Sequence, residues 1–460
     1  MQSMSQSPRE QPKSAIMGLL IAVIFVVLVL WGGFPTGERV TPFVISLVVF
    51  IGVTFVFGLA VWHLLVRPLP AGHKQPQPLL LTAAQRQWMA LLLLVSSISL
   101  TIGSLWDEIW HRQYGIPFGD DFFWRPHLMM YAGLLITIVL AMIGWYIVLR
   151  QGQGTLQQRF RANPVFGLIV LVGTFLIYAL PTDPIWHQIM GGDISAWSIP
   201  HVLFAINFSL IMISGVAIYM TIFPAQPWRS LLRFQMRDLI PLASAAFVSI
   251  MPILLLTSEW DGPDPSVVAN AAVLNRPDWL FPALLAFTAA FVGLLANHTL
   301  RTYGGATAAA VLSLIIRVLM LSAFQAQGIT ANAWLLLLPP ALTLDVWYGL
   351  WTRRTGEAPP LWQAVLAIVA GMGVSLLFMG SLYVYPSVTL ASAVPMLLSS
   401  VVAAWIAGWL ARTIGDYVAL SNKQAIVEAR EARWWLSPLV FALAAAFIAW
   451  FMVTAAPPIL

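Results

Sequence analysis

A succession of apolar runs, each close to the roughly 20 residues that a bilayer crossing needs, leaves this chain few folds to choose from. The runs cover residues 15–34, 43–66, 88–106, 127–149, 164–181, 201–223, 238–257, 279–298, 304–323, 332–352, 361–384, 393–414 and 436–454. No polar connection between them is long enough to form a separate soluble domain. Of 460 residues, 60% are hydrophobic and 9% are charged, which excludes an ordinary soluble enzyme and fits a polytopic membrane protein. The expected fold is all-α, a transmembrane helix bundle of about 13 spans embedded in a lipid bilayer.

The basic residues orient it. Arg9 and Lys13 precede the first run, Arg67, Lys74 and Arg86 lie between the second and third, and Arg150, Arg159 and Arg161 follow the fourth. Alternate connections continue the series through Arg229, Arg301, Arg353 and Arg412. Lys and Arg collect on the inner side of a membrane, so the N-terminus is expected inside and the C-terminus outside, in a bacterial inner membrane. The formal charge of +5 is then an orientation signal and not a nucleic-acid surface. The first run has no small-residue cleavage site after it and reads as a retained anchor. The absence of cysteine excludes disulfides, thiolate metal sites and cysteine nucleophiles. Any metal must be held by His, carboxylate or Met.

Chemistry-bearing residues concentrate in the opposite, outer connections. Asp183, His187 and His201 stand in the pattern Asp-x3-His followed by Pro-His, and Asp107, His111 and His127 repeat it. Asp-x3-His on a helix sets carboxylate and imidazole one turn apart on one face. The second His follows Pro126 or Pro200 at the start of the next helix, where proline is favoured. Each copy thus offers a 2-His-1-carboxylate set, which suits copper, with iron or zinc as alternatives, better than calcium or magnesium. Glu259, Asp261 and Asp278-Trp279 resemble a third copy that has lost its histidines.

Blander readings apply to the same residues. Asp183, before Pro184, is also placed to cap a short helix. Trp106, Trp110, Trp124, Trp186, Trp197, Trp260 and Trp279 fit an interfacial aromatic belt better than a cofactor box. Glu108, Asp120, Asp121 and Asp193 read as solvated or capping, with Asp193 also able to orient a ligand histidine. His63, His73 and His298 fall at the inner side, about 30 Å from the outer cluster, and cannot share its site. Asp345, inside a span, is expected to reach Arg353 or Arg354. Gly304-Gly305-Ala306 and Gly371-Met-Gly373 suit close helix packing, and residues 422–433 read as an amphipathic inner-face segment.

Asp183-x3-His187-Gln188, Asp193-x-Ser195, Pro200-His201 and a helix reaching Tyr219, followed by Ser258-Glu259-Trp260 and Asp278-Trp279, resemble the C subunit of the copper membrane monooxygenases that oxidise methane or ammonia. The likeness covers about residues 165–300, with Pro126-His127 and Tyr131-x-Gly133 as a less complete match. It implies a copper site held by Asp183, His187 and His201 near the outer face, and partner subunits in a complex. The family's second metal site does not carry over, since Ser258 stands where an Asn is expected and its histidines are missing.

The chain divides into an N-terminal tail with two anchoring helices (1–87), a first Asp/His/His helix pair (88–163), a second pair with the degenerate third (164–300), and a C-terminal helical extension (301–460). The leading expectation is a copper-binding membrane protein that oxidises a small substrate with oxygen, alongside other membrane subunits or as a homo-oligomer. The alternatives are a non-catalytic metal-binding or structural subunit, and a cation or proton transporter with an outer acidic/His vestibule.

Overall fold

The computed structural model describes residues 37–67, 81–114, 123–150, 154–190, 198–223, 227–260, 277, 279–325, 337–382, 390–420, 433 and 435–456. The first apolar run, residues 422–432 and Asp120, Asp121, Asp193, Asp261 and Asp278 lie outside them. The protein is an all-α membrane bundle, and eight of the described helices are long and apolar enough to cross a membrane. In chain order the helices are α1 (Val40–Val61, running on into a π turn, Trp62–Val66), α2 (Ala83–Tyr114), α3 (Arg125–Arg150), α4 (Leu156–Ala162), α5 (Pro164–Ala179), α6 (Thr182–Met190) and α7 (Ile199–Met220). They continue as α8 (Leu239–Trp260), α9 (Leu280–Leu300), α10 (Gly305–Gln325), α11 (Leu338–Thr355), α12 (Leu361–Leu382), α13 (Leu390–Leu420) and α14 (Leu436–Val453).

Two apolar cores organise them. In the first, α2 packs against α3 and α7, and α5 against α3 and α7, around Leu94, Trp106, Leu140, Leu176 and Ile211. In the second, α9 lies along α13 in the most extensive helix contact among the described residues, with α11 and α12 beside them around Phe281, Leu344, Tyr348 and Ile368. Between helices that gain little from burying apolar surface against one another in lipid, close backbone approach and internal hydrogen bonds hold the pairs. Ser96 Oγ hydrogen-bonds to Gly133 O (2.5 Å) and meets Thr137 Oγ1 (2.6 Å), tying α2 to α3. Ser97 Oγ donates to Phe208 O (2.8 Å), tying α2 to α7.

Connections at each end establish which residues share a membrane face. Arg125, opening α3, donates to Phe451 O and Thr454 Oγ1 (2.8 Å each), so the C-terminal end of α14 sits beside the start of α3. Gln87, near the start of α2, donates to Arg433 O (2.8 Å) and Ser437 Oγ (3.0 Å), at the start of α14. Past the far end of α7, residues 229–230 (β1) and 302–303 (β2) form a two-stranded parallel pair. Arg229 makes a two-oxygen ion pair with Asp238 there (2.6 Å).

Asp345 does not reach Arg353 or Arg354. Arg353 is eight residues further along the same helix, about 12 Å of axial rise, and its guanidinium lies over the Tyr303 ring (5.6 Å). Asp345 instead caps the start of α10. Thr307 N–H donates to its Oδ2 (2.7 Å) and Asn297 Nδ2 to its Oδ1 (2.8 Å), while Asn297 Oδ1 accepts from Ala306 N–H (3.0 Å). The partial positive charge of a helix start and these donors replace the expected arginine.

Gly371 and Gly373, two of the four glycines expected to pack closely, behave differently. A Cβ on Gly371 would run into the backbone of α11 at Pro340, whereas one on Gly373 would meet nothing within 4 Å. Gly371→Ala is therefore expected to destabilise the protein by about 1–3 kcal/mol through overpacking against backbone, and Gly373→Ala to leave thermal unfolding in detergent unchanged. Equal effects of the two substitutions would contradict the close α11–α12 approach.

Candidate metal centre

The two Asp/His/His copies occupy equivalent positions at the same end of the first core. Asp107 lies in the last part of the unbroken α2, and His127 is the third residue of α3. Asp183 and His187 lie one turn apart on the short α6, set off from α5 by the turn at Leu180–Pro181, and His201 is the third residue of α7. In both copies proline immediately precedes the histidine, at a position where a helix needs no backbone donor. His111 lies on α2, but its side chain is outside the described part of the structure.

The copies differ in spacing. In the first, His127 Nε2 stands 2.9 Å from Asp107 Oδ1, a close ion pair with side chains 15% and 20% exposed. In the second, Asp183 Oδ1 faces His187 Nε2 at 3.5 Å and His201 Nε2 at 3.8 Å. These separations exceed ordinary N–H···O lengths. Asp183 Oδ1 is buried and has no hydrogen bond of ordinary geometry among the described residues. His187 is buried, while Asp183 and His201 keep about a quarter of their side-chain surface, at 24% and 25%. Asp183 also interacts electrostatically with His127 as well as with His201 and His187, so the two copies lie in one field.

Ligands about 2.0–2.1 Å from a tetrahedral ion stand about 3.3 Å from one another. The 3.5 Å contact is close to such an edge, and the 3.8 Å contact is a few tenths of an ångström wider. Among the described residues, no three His, Asp or Glu side chains are already gathered tightly enough to hold a metal ion. The donor types of Asp183, His187 and His201 suit copper, iron or zinc. The Asp107–His127 pair is different. Its two atoms stand closer together, and the side chain of His111, the third member of that set, lies outside the described part of the structure.

Three of the seven tryptophans assigned to an interfacial belt pack into the bundle beside the cluster. Trp106, Trp110 and Trp186 are buried. Trp110 packs edge-on to Trp106 (5.0 Å between rings) and to Trp124 (5.5 Å), and Phe43 of α1 packs edge-on to Trp186 (5.9 Å). The ring of Tyr131, one turn into α3, lies 5.9 Å from that of His127. The patterning does not single out Arg125, two residues before His127. Its signal is an arginine at the end of the bundle that the charge rule leaves poor in basic residues.

The unequal spacing has a measurable consequence. In metal-free protein, a double-mutant cycle on Asp107→Asn and His127→Gln is expected to give a coupling of about 1 kcal/mol in unfolding stability. The cycle on Asp183→Asn and His201→Gln should give a smaller coupling, as expected for the longer separation. Comparable couplings would contradict the assignment of one closer and one wider copy.

Comparison with protein-family models, with curated proteins and with solved structures found no match for this chain.

Proposed function

We propose that this chain is an integral membrane protein that holds a transition-metal ion, copper by the nature of the donor set, on Asp183, His187 and His201. One observation carries the reading: a buried carboxylate oxygen faces two imidazole nitrogens at separations wider than a hydrogen bond and close to those between ligands of one ion. The resemblance of these residues to the copper membrane monooxygenase C subunit points the same way. On this reading about 13 spans, counting the run at 15–34, place the N-terminus inside, the C-terminus outside and the metal set toward the outer face of a bacterial inner membrane.

Bound copper would supply activation of oxygen for oxidation of a small substrate, within a complex of further membrane subunits or copies of this chain. The protein's own residues do the rest. Asp183 supplies the anionic ligand and orients both histidines, and His187 is buried, as are its neighbours on the helix Trp186 and Met190. Trp106, Trp110 and Trp186 keep water away from the cluster and strengthen electrostatic interactions inside it. Asp107 and His127 form an acid–base pair in the same field, able to hold a proton at His127 Nε2.

A second reading also has an observation behind it. The direct Asp107–His127 contact and its electrostatic link to Asp183 form a run of ionisable groups at one face, as in the mouth of a cation or proton pathway.

Metal analysis by mass spectrometry on protein purified in mild detergent separates the two. The metal reading predicts about one copper ion per chain, a fall to background in the His187→Ala/His201→Ala variant, and retention in His127→Ala. Protein without bound metal, or content unaffected by the His187/His201 substitutions, would remove the metal reading. Ion flux would then be the decisive assay.

A further inference from the structure

The second core carries a chain of hydrogen bonds that the proposed metal centre does not use. His298, near the end of α9, has Nδ1 2.9 Å from Asp416 Oδ1 of α13 and Nε2 2.9 Å from the Tyr348 hydroxyl of α11. Arg412, one turn before Asp416, donates through Nη2 to the same hydroxyl (2.9 Å) and to Pro359 O (2.7 Å). His298 is 3% and Tyr348 0% exposed, while the Asp416 side chain is 46% exposed and connects the cluster to water. The cluster lies at the end of the bundle opposite to the Asp/His copies. Trp228, which follows the C-terminal end of α7, packs edge-on to His298 (5.3 Å), whereas His201 opens α7, about 33 Å away along a 22-residue helix.

The chemistry of the partners sets every proton in this chain. A guanidinium has only donors, so the Tyr348 oxygen accepts from Arg412. The tyrosine proton then points at His298 Nε2, its other partner among the described residues. An imidazole that accepts at Nε2 and faces a carboxylate at Nδ1 is neutral, with its proton on Nδ1 donated to Asp416. The arrangement runs one way: Arg412 to Tyr348 to His298 to Asp416.

A proton added to Nε2 of His298 reverses one step of that order. The imidazolium keeps its Nδ1–H on Asp416 and gains an ion pair there, while its new Nε2–H meets a hydroxyl whose own proton has lost its acceptor. The α9–α13 side cannot yield, because a Cβ on Gly415 would already stand 2.7 Å from His298 Cβ. The compliant link is the one to Tyr348. The other charges facing the imidazole are Arg412 of α13 and Arg301 at the end of α9, and Asp345 and Asp416 act on Tyr348. We propose that His298 is a proton-binding site, open to the aqueous phase at this end through Asp416, and that taking up a proton releases α11 from α9.

The test uses the full chain in lipid nanodiscs. Nitrogen NMR of histidine-labelled protein, assigned by difference with His298→Gln, should show a neutral ring with its proton on Nδ1 that becomes imidazolium on acidification. Hydrogen exchange in the last turns of α11, corrected for the intrinsic pH dependence, should rise roughly 3- to 10-fold over the same range, as expected for loss of one buried hydrogen bond. Tyr348→Phe should raise this exchange at every pH and abolish the response, and His298→Gln should also abolish it. Asp416→Asn, at the exposed end, keeps an acceptor for Nδ1–H without the counter-charge, so its response should require lower pH. A neutral ring with the proton on Nε2, wild-type exchange that ignores pH, or a response that survives in His298→Gln would overturn the proposal.

Discussion

Hydrocarbon offers a carboxylate neither water nor counter-ions, so each acidic side chain inside a membrane bundle must find its compensation within the protein. Among the described residues, five aspartates inside the bundle or at its ends find partners in different ways. Asp107 takes His127 and Asp183 takes His187 and His201, at one end of the first core. Asp238 takes Arg229, Asp416 takes His298, and Asp345 takes the start of α10 together with Asn297. Much of the helix-to-helix order follows from these pairings, because lipid-facing apolar surface by itself gives the helices little reason to choose one neighbour over another.

Three of the five aspartates use histidine. A histidine partner, unlike an arginine, can change its charge near neutral pH or give up its lone pair to a metal. That places the adaptable chemistry at the two ends of the molecule, with apolar packing and hydroxyl-to-backbone bonds between. At one end the paired copies have diverged. A rigid α2 presents Asp107 to His127 at hydrogen-bonding distance, whereas the turn at Leu180–Pro181 resets α6 so that Asp183 faces two imidazoles across a wider gap. The repeated pattern therefore gives one closer pair and one wider set among the described residues.

The repeated spacing made Asp107, His127, Asp183, His187 and His201 legible as candidates, because Asp-x3-His and Pro-His carry helix geometry in the residue pattern itself. The difference between 2.9 Å and 3.5–3.8 Å was not legible. It depends on how α6 is set after α5, which no local pattern reports. Apolar runs located the helices well, since length and hydropathy act locally, but the close union of α9 with α13 joins segments about a hundred residues apart and has no local signature. Asp345 was misread because a nearby arginine in sequence was preferred to a helix start supplied by another element. His298 was correctly placed away from the Asp/His copies. Its partners Asp416, Tyr348 and Arg412 were missed, although all lie near the C-terminal ends of their helices and so at a similar depth.

Asp183, His187 and His201 are proposed to form the metal set, with Asp107 and His127 standing beside it. Electron paramagnetic resonance of the copper-loaded protein, with nitrogen hyperfine resolved, tests this most directly. The account predicts two coordinated imidazoles in a single well-defined species, lost in His187→Ala and in His201→Ala and unchanged in ligand number in His127→Ala. A spectrum without imidazole coupling, or one abolished by His127→Ala while surviving His187→Ala, would contradict it.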